Sequence, residues 1–99
     1  MDKKLSPLDL VLYRAVDEVL HYVWDPMGVS GIPQARDEYQ GYLPKVFGML
    51  RDGAGEMEIA TYLGSVKTQR MGLSENAKHD QEIARMLIDW KETVDAQDT

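Results

Sequence analysis

The sequence predicts an all-α fold, a compact bundle of about four helices within one domain of 99 residues. Apolar residues recur at three- and four-residue spacing in several segments, which is the period of an amphipathic helix. Cap residues, prolines and glycines separate these segments, and no segment of useful length shows the alternation typical of a strand. We expect one helical domain over residues 1–99, with frayed ends at residues 1–5 and 95–99.

The first helix is predicted to begin after Ser6. A serine cap, Pro7 at the first helical position and Asp9 in the first turn all match the preferences of helix N-termini. The apolar stripe that follows consists of Leu8, Val11, Leu12, Ala15, Val16, Val19, Leu20 and Val23. The helix should end near Trp24, because the residue before Pro26 is driven away from the α region.

Residues 26–34 contain two prolines and two glycines, which predicts a structured loop. The next stretch, residues 35–52, contains Pro44 and leaves two alternatives. The helix is kinked at Pro44, or a short turn over residues 37–42 precedes a helix that begins at Pro44, where a missing N–H costs nothing. We favour the second alternative. Gly53 should end this helix.

The last two helices are predicted from their caps and charges. Residues 56–70 have glutamates at the start and Lys67 and Arg70 at the end, as the helix dipole favours, and Gly72 should stop this helix. Ser74 is predicted to cap the fourth helix, with Glu75 in its first turn. The buried stripes are expected at Ile59, Tyr62, Leu63 and Val66 in the third helix and at Ile83, Met86, Leu87, Trp90 and Val94 in the fourth.

Composition and charge exclude several classes of function. The chain has no cysteine, so it offers neither a disulfide nor a thiolate ligand or nucleophile. Its net charge of −6 opposes binding to nucleic acid and to anionic membranes. Its apolar runs are too short for a membrane span, and charges interrupt the N-terminal segment before it could act as a signal peptide. We therefore expect a soluble cytoplasmic protein that binds neither nucleic acid nor a membrane.

No motif indicates catalysis. Ser6 and Ser74 are explained as helix caps, no G-x-S-x-G elbow is present, and the glycines do not form a phosphate-binding loop. We predict that the protein is not an enzyme and needs no cofactor or metal.

One alternative is a metal-dependent or enzymatic module. His21 and Asp25 are four residues apart and would share a helix face, and Asp37 and Glu38 would complete a set of ligands. The competing interpretation places His21 on a solvated or half-buried helix face, and His79 as a packing residue.

The most distinctive block comprises W-D-P-M-G-V at residues 24–29, A-R-D-E-Y at residues 35–39 and Y-L-P at residues 42–44. Its structural interpretation makes Trp24 the anchor of the loop, Asp25 an acceptor of backbone N–H groups in the turn, and Asp37 the cap of the following helix. Its functional interpretation is partner binding, because binding residues concentrate on loops that a rigid scaffold holds. The candidates are Asp25, Arg36, Asp37, Glu38, Tyr39 and Tyr42.

This block, together with G-A at residues 53–54, I-A-T-Y-L at residues 59–63 and R-M-G-L at residues 70–73, resembles a family of small all-helical bacterial proteins of unknown function. The resemblance covers residues 8–90. It implies an all-helical fold and, because some members look like immunity-type proteins that neutralise toxins, binding to another protein. It implies no cofactor and no catalytic residue.

The leading functional prediction is a protein–protein interaction module, an immunity or antitoxin-like inhibitor of a basic partner. From Arg51 onward the sequence contains ten acidic and six basic residues. We expect Glu75, Asp80 and Glu82 to form an acidic surface on the fourth helix, which would attract a basic partner. A third possibility is a homodimer that buries its exposed aromatic side chains against a second copy.

Overall fold

The structure is a computed structural model that describes residues 5–97. These residues form four α-helices, Pro7–Glu18 (α1), Leu43–Arg51 (α2), Glu56–Ser65 (α3) and Ala77–Ala96 (α4), and contain no strand. Helix α4 packs along α3 and against α1, and α1 also contacts α2. The predicted all-α bundle of four helices is confirmed.

Helix α1 begins as its cap residues predict. The Oγ atom of Ser6 accepts the backbone N–H of Asp9 at 3.1 Å, and Pro7 occupies the first turn. The helix continues directly into a π-helical segment, Val19–Trp24, whose wider turns are closed by bonds such as that from the N–H of Asp25 to the carbonyl of Leu20, 3.1 Å. The chain leaves the helix at Asp25, so the predicted end near Trp24 is confirmed.

The connection to α2 contains two short 3₁₀ turns, Pro33–Ala35 and Gln40–Tyr42. Helix α2 starts at Leu43, which places Pro44 in its first turn, where no intrahelical bond is lost. The second alternative for Pro44, a short turn followed by a new helix, is confirmed. Gly53 follows the helix with a φ of 80°, a conformation that glycine adopts without strain.

Helix α3 continues as a second π-helical segment, Val66–Arg70, and the chain turns at Gly72 with a φ of 66°. Helix α4 begins at Ala77, later than the predicted cap at Ser74. Its cap is Asn76, whose side chain accepts the N–H of His79 at 3.2 Å. The reason is that Asn caps a helix as well as Ser does, and that residues 71–76 form an irregular connection after the third helical segment. There the N–H of Leu73 bonds to the carbonyl of Lys67 at 2.9 Å.

All four helices contribute to a core cluster. Its large members are Leu12, Val16, Val19, Leu20, Trp24, Tyr39, Leu43, Val46, Leu50, Ile59, Leu63, Val66, Ile83, Leu87 and Val94. The predicted stripes were wider than the buried faces. Their members Val11, Val23, Met86 and Trp90 are 36–45% exposed, because they lie at the edges of the helix faces that neighbouring helices cover.

The last helix extends into the C-terminal segment that we expected to fray. Helix α4 extends to Ala96, and Asp95 forms an ion pair of 2.7 Å with Arg51 of α2. Residues 95 and 96 are therefore helical, whereas the predicted fraying of residues 1–4 and 98–99 lies outside the described residues. Within residues 5–97, none of the helices has the length and hydropathy needed to cross a membrane.

Candidate functional site

The turn after the first helix is organised by the carboxylate of Asp25. Its Oδ1 accepts hydrogen bonds from the N–H of Val29 at 2.8 Å and from the hydroxyl of Tyr39 at 2.7 Å, and its Oδ2 accepts the N–H of Ser30 at 3.1 Å. Asp25 has a φ of 31°, a left-handed conformation that a short polar side chain tolerates. The prediction that Asp25 accepts backbone N–H groups in this turn is confirmed.

These hydrogen bonds also set the acidity of Asp25. Partial burial by itself raises the pKa of this carboxyl, but the donors from Tyr39, Val29 and Ser30 stabilise the ionised form more strongly. The pKa of Asp25 therefore lies below its usual value. Asp25 is a structural carboxylate that stays ionised at neutral pH.

Tyr39 supports the loop from inside the protein. Its side chain is 2% exposed, and its hydroxyl donates to Asp25 and accepts the N–H of Met27 at 3.0 Å. Burial and the bond to Asp25 raise the pKa of Tyr39. Our expectation that Tyr39 belongs to a partner-binding surface is corrected by this burial, because its aromatic ring packs against Trp24, with ring centroids 5.5 Å apart.

Arg36 connects the loop to the first helix. Its guanidinium forms two parallel hydrogen bonds with the carboxylate of Asp17, at 3.1 and 2.9 Å, and lies 5.3 Å from the ring centroid of Tyr22. Such a planar pair fixes both side chains more firmly than a single contact does. The positive charge of Arg36 is consequently balanced within the protein.

The remaining candidates divide between surface and core. Asp37 and Glu38 are exposed, and neither carboxylate forms an ion pair or a side-chain hydrogen bond within residues 5–97. The predicted capping role of Asp37 is wrong, because the N–H of Gln40 bonds to the main-chain carbonyl of Asp37 instead. Tyr42 is half-buried, with its ring edge-on to Trp24.

Large apolar side chains are exposed around this supported loop. Tyr22 is 57% exposed, Val23 42%, Met27 45% and Ile32 48%. Single exposed apolar residues are ordinary, but four within residues 22–32 form a local concentration. We call the side chains of these four residues, together with the carboxylates of Asp37 and Glu38, the loop surface.

His21 lies beneath the loop surface, and it is buried rather than half-exposed as we expected. It is 2% exposed, its ring is edge-on to Tyr22, and its Nδ1 atom has no hydrogen-bond partner among residues 5–97. The π-helical segment contributes to this burial, because its wider turn changes the direction of the side chains after Val19, and the rings of Tyr22 and Tyr39 lie against His21.

The structure does not support a metal site at the four residues of the alternative interpretation. No group of three or more His, Asp or Glu side chains in the described part of the chain is placed to hold a metal ion. Asp25 uses both carboxylate oxygens in the turn, whereas Asp37 and Glu38 face solvent.

A buried polar network behind the loop was missed by the sequence analysis. The indole Nε1–H of Trp24 donates to Oδ1 of Asp80 at 3.1 Å, and the ammonium of Lys67 lies 3.4 Å from the same oxygen. The Nε2 atom of His79 lies 3.3 Å from the carbonyl oxygen of Trp24. Trp24 is thus the buried anchor that the sequence predicted, at 2% exposure.

The network overturns the prediction that Asp80 belongs to an acidic surface on the fourth helix, because Asp80 is 1% exposed. A signal for its burial was present in the sequence. Asp80 precedes Ile83 and Ala84 by three and four residues, and Lys67 follows Leu63 by four, so both charges lie on apolar stripes. Two opposite charges on buried stripes of neighbouring helices indicate a buried ion pair.

Comparisons with protein-family models, with curated proteins and with solved structures found no match to this chain, so the resemblance described above stays a prediction.

Proposed function

We propose that the protein is a cytoplasmic protein–protein interaction module that binds a basic partner protein through the loop surface. An immunity or antitoxin-like inhibitor is the kind of module that the sequence resemblance suggests. One observation carries the proposal: exposed apolar side chains stand on a loop whose backbone is held from inside by Asp25 and Tyr39.

Rigidity makes such a loop suitable for binding. Ordering a flexible loop on association costs free energy, and a loop that is already ordered avoids much of this cost. The hydrogen bonds of Asp25 and the ion pair between Arg36 and Asp17 fix the loop at both ends. Tyr22, Met27 and Ile32 can then act as apolar anchors that a partner covers.

Charge favours a basic partner. Asp37 and Glu38 are exposed and form no ion pair within residues 5–97, and Glu18 lies one helical turn before Tyr22. Arg36 adds no free positive charge, because Asp17 balances it. With a net charge of −6, the chain would attract a cationic protein and repel an acidic one.

The test is affinity capture from source-cell extract with three forms of the protein. The wild type should retain a basic protein that the loop variant Met27→Ser/Ile32→Ser loses. The control variant Leu10→Ser/Val11→Ser replaces two exposed apolar residues on α1, away from the loop surface, and should retain it. Equal capture by the loop variant and the wild type would contradict the proposal.

Binding kinetics with the captured protein then separate charge from apolar contact. The double variant Asp37→Lys/Glu38→Lys should lower the association rate and reduce its dependence on salt, because exposed charges act mainly on encounter. Replacing Ile32 by alanine should mainly accelerate dissociation. Reversal of Glu82 and Glu92, two exposed acids on another part of the surface, is the matched control for charge.

A homodimer is the second candidate. Met86 and Trp90 are exposed one turn apart on α4 and would be covered in a symmetric helix pair. Light scattering on the wild type and on Trp90→Ser distinguishes the two candidates, because only a dimer through α4 would dissociate in that variant.

A further inference from the structure

One carboxylate oxygen of Asp80 lacks a hydrogen-bond partner among the residues that the structure describes. Its Oδ1 receives the donors of Trp24 and Lys67, whereas its Oδ2 accepts no hydrogen bond from any described residue, although the side chain is 1% exposed. A buried polar atom without a partner is rare and unfavourable. This oxygen therefore requires a donor that the described part of the chain does not supply.

The unpartnered oxygen lies beside a groove between α3 and the start of α4. The groove has a volume of about 240 Å³, and small residues of both helices, Ala60, Gly64 and Ala77, leave it open. A Cβ atom on Gly64 would lie 3.4 Å from Oδ2 of Asp80, so glycine leaves a methyl-sized space next to this oxygen. The groove is much larger than the about 15 Å³ that one water molecule requires.

Charge and lining indicate which donor fits. Asp80 and Glu75 both line the groove, and Lys67 balances only one of these carboxylates. Glu75 forms no ion pair within residues 5–97. A cation would complete the balance, and the apolar surface of Met57 and Ala60 suits an alkyl chain behind it.

We propose that this groove binds a primary alkylammonium group. Its N–H groups donate to Oδ2 of Asp80, and its chain packs on Met57 and Ala60. The ammonium approaches Oδ2 on the side that Gly64 leaves open, so that Oδ1 keeps its bonds to Trp24 and Lys67. The compact ammonium suits a single acceptor in a narrow space better than a planar guanidinium does. The ammonium belongs to a lysine side chain of another protein or to a free diamine, and the site is separate from the loop surface.

The first experiment titrates the full chain with n-butylammonium chloride while NMR follows its amide and indole N–H resonances. The indole of Trp24 reports on Asp80 directly, and the exposed indole of Trp90 is an internal control. The Trp24 indole and the Gly64 amide should shift saturably. n-Butanol, which lacks the charge, and tetramethylammonium chloride, which lacks an N–H donor, should not produce these shifts.

The second experiment compares two helical glycines. Gly64→Ala should weaken butylammonium binding about tenfold or more, which is the worth of one charge-assisted hydrogen bond. Gly48→Ala, at a glycine of α2 whose Cβ would meet open space, should leave binding unchanged. The 3.4 Å contact in Gly64→Ala is an ordinary one, so this variant should fold, and the comparison of ligands on the wild type does not depend on it.

The source of the ammonium is then assigned with Nα-acetyl-lysine methylamide and with cadaverine. Tighter binding of the lysine derivative assigns the groove to a protein side chain, and tighter binding of cadaverine assigns it to a free diamine. Absence of saturable shifts with butylammonium, or equal affinity in Gly64→Ala and the wild type, would overturn the proposal and leave the groove to water alone.

Discussion

The indole of Trp24 and the carboxylate of Asp80 join the end of the first helical segment to the beginning of the last, 56 positions apart, through a buried hydrogen bond of 3.1 Å. Lys67 approaches the same carboxylate from the end of the third helical segment. Three helix termini thus meet at one oxygen atom directly behind the loop. The position of the loop on the bundle depends on these contacts.

Replacing Trp24 by alanine should lower the free energy of unfolding by about 3–5 kcal/mol, because a large buried ring is removed and a cavity remains. Urea denaturation measures this loss. Trp90→Ala is the control, and since Trp90 is 42% exposed it should lose about 1 kcal/mol or less. Equal losses in the two variants would contradict the anchoring role of Trp24.

The pair formed by Lys67 and Asp80 should behave non-additively. Lys67→Met should destabilise the protein by about 3–5 kcal/mol, because the carboxylate then stays buried without its cation. The double variant Lys67→Met/Asp80→Asn should recover most of this loss, since asparagine keeps an acceptor for the indole of Trp24. A double-mutant cycle by chemical denaturation measures the coupling, and additive losses would argue against a buried pair.

Removing the hydroxyl of Tyr39 should loosen the loop without disturbing the core. Tyr39→Phe leaves the N–H of Met27 without its acceptor and removes one donor from Asp25, which should cost about 1–3 kcal/mol. Amide hydrogen exchange should accelerate mainly at residues 27–30. Tyr42→Phe is the matched control, because the structure shows no hydrogen bond of the Tyr42 hydroxyl within residues 5–97.

The lowered pKa of Asp25 predicts a loss of stability in acid. In the unfolded chain this carboxyl titrates near its usual pKa of 3.8, and in the folded protein it titrates at lower pH. Its contribution is therefore fully present above that value and is lost as the pH falls through the folded pKa. Asp25→Asn should abolish this part of the pH dependence.

The control for that measurement is Asp95→Asn. The pKa of Asp95 is also lowered, by its hydrogen bond with Arg51, but this carboxylate lies far from the loop on an exposed part of α4. Both variants should flatten the acid side of the stability curve, and only Asp25→Asn should change hydrogen exchange at residues 27–30. An unchanged curve in Asp25→Asn would contradict the role assigned to the turn.

Local chemistry made much of this fold predictable. The cap at Ser6, the place of Pro44 in a first turn and the stops at Gly53 and Gly72 depend on neighbouring residues, and the structure confirms them. The turn at Asp25 was predictable for the same reason, because its backbone donors lie four and five residues ahead in the chain.

Features that depend on tertiary packing were not predictable in the same way. The burial of Tyr39 follows from its long-range contacts with Asp25 and Trp24, and the burial of Asp80 follows from partners 56 and 13 positions away. The π-helical segment that contributes to the burial of His21 has no clear sequence signal. For this reason the sequence analysis assigned surface roles to Tyr39 and Asp80, which belong to the core.

The bonds of Asp25 and Tyr39 have a consequence for how this protein could diversify. The groups that determine the path of the loop point inward, whereas the side chains of Met27 and Ile32 point outward and are absent from those bonds. Under the proposed function, the positions that determine the backbone geometry of the loop therefore differ from those that contact the partner. Homologues with other residues at positions 27 and 32 would present different side chains on the same loop backbone. A change of partner would then require no change in the fold of the bundle.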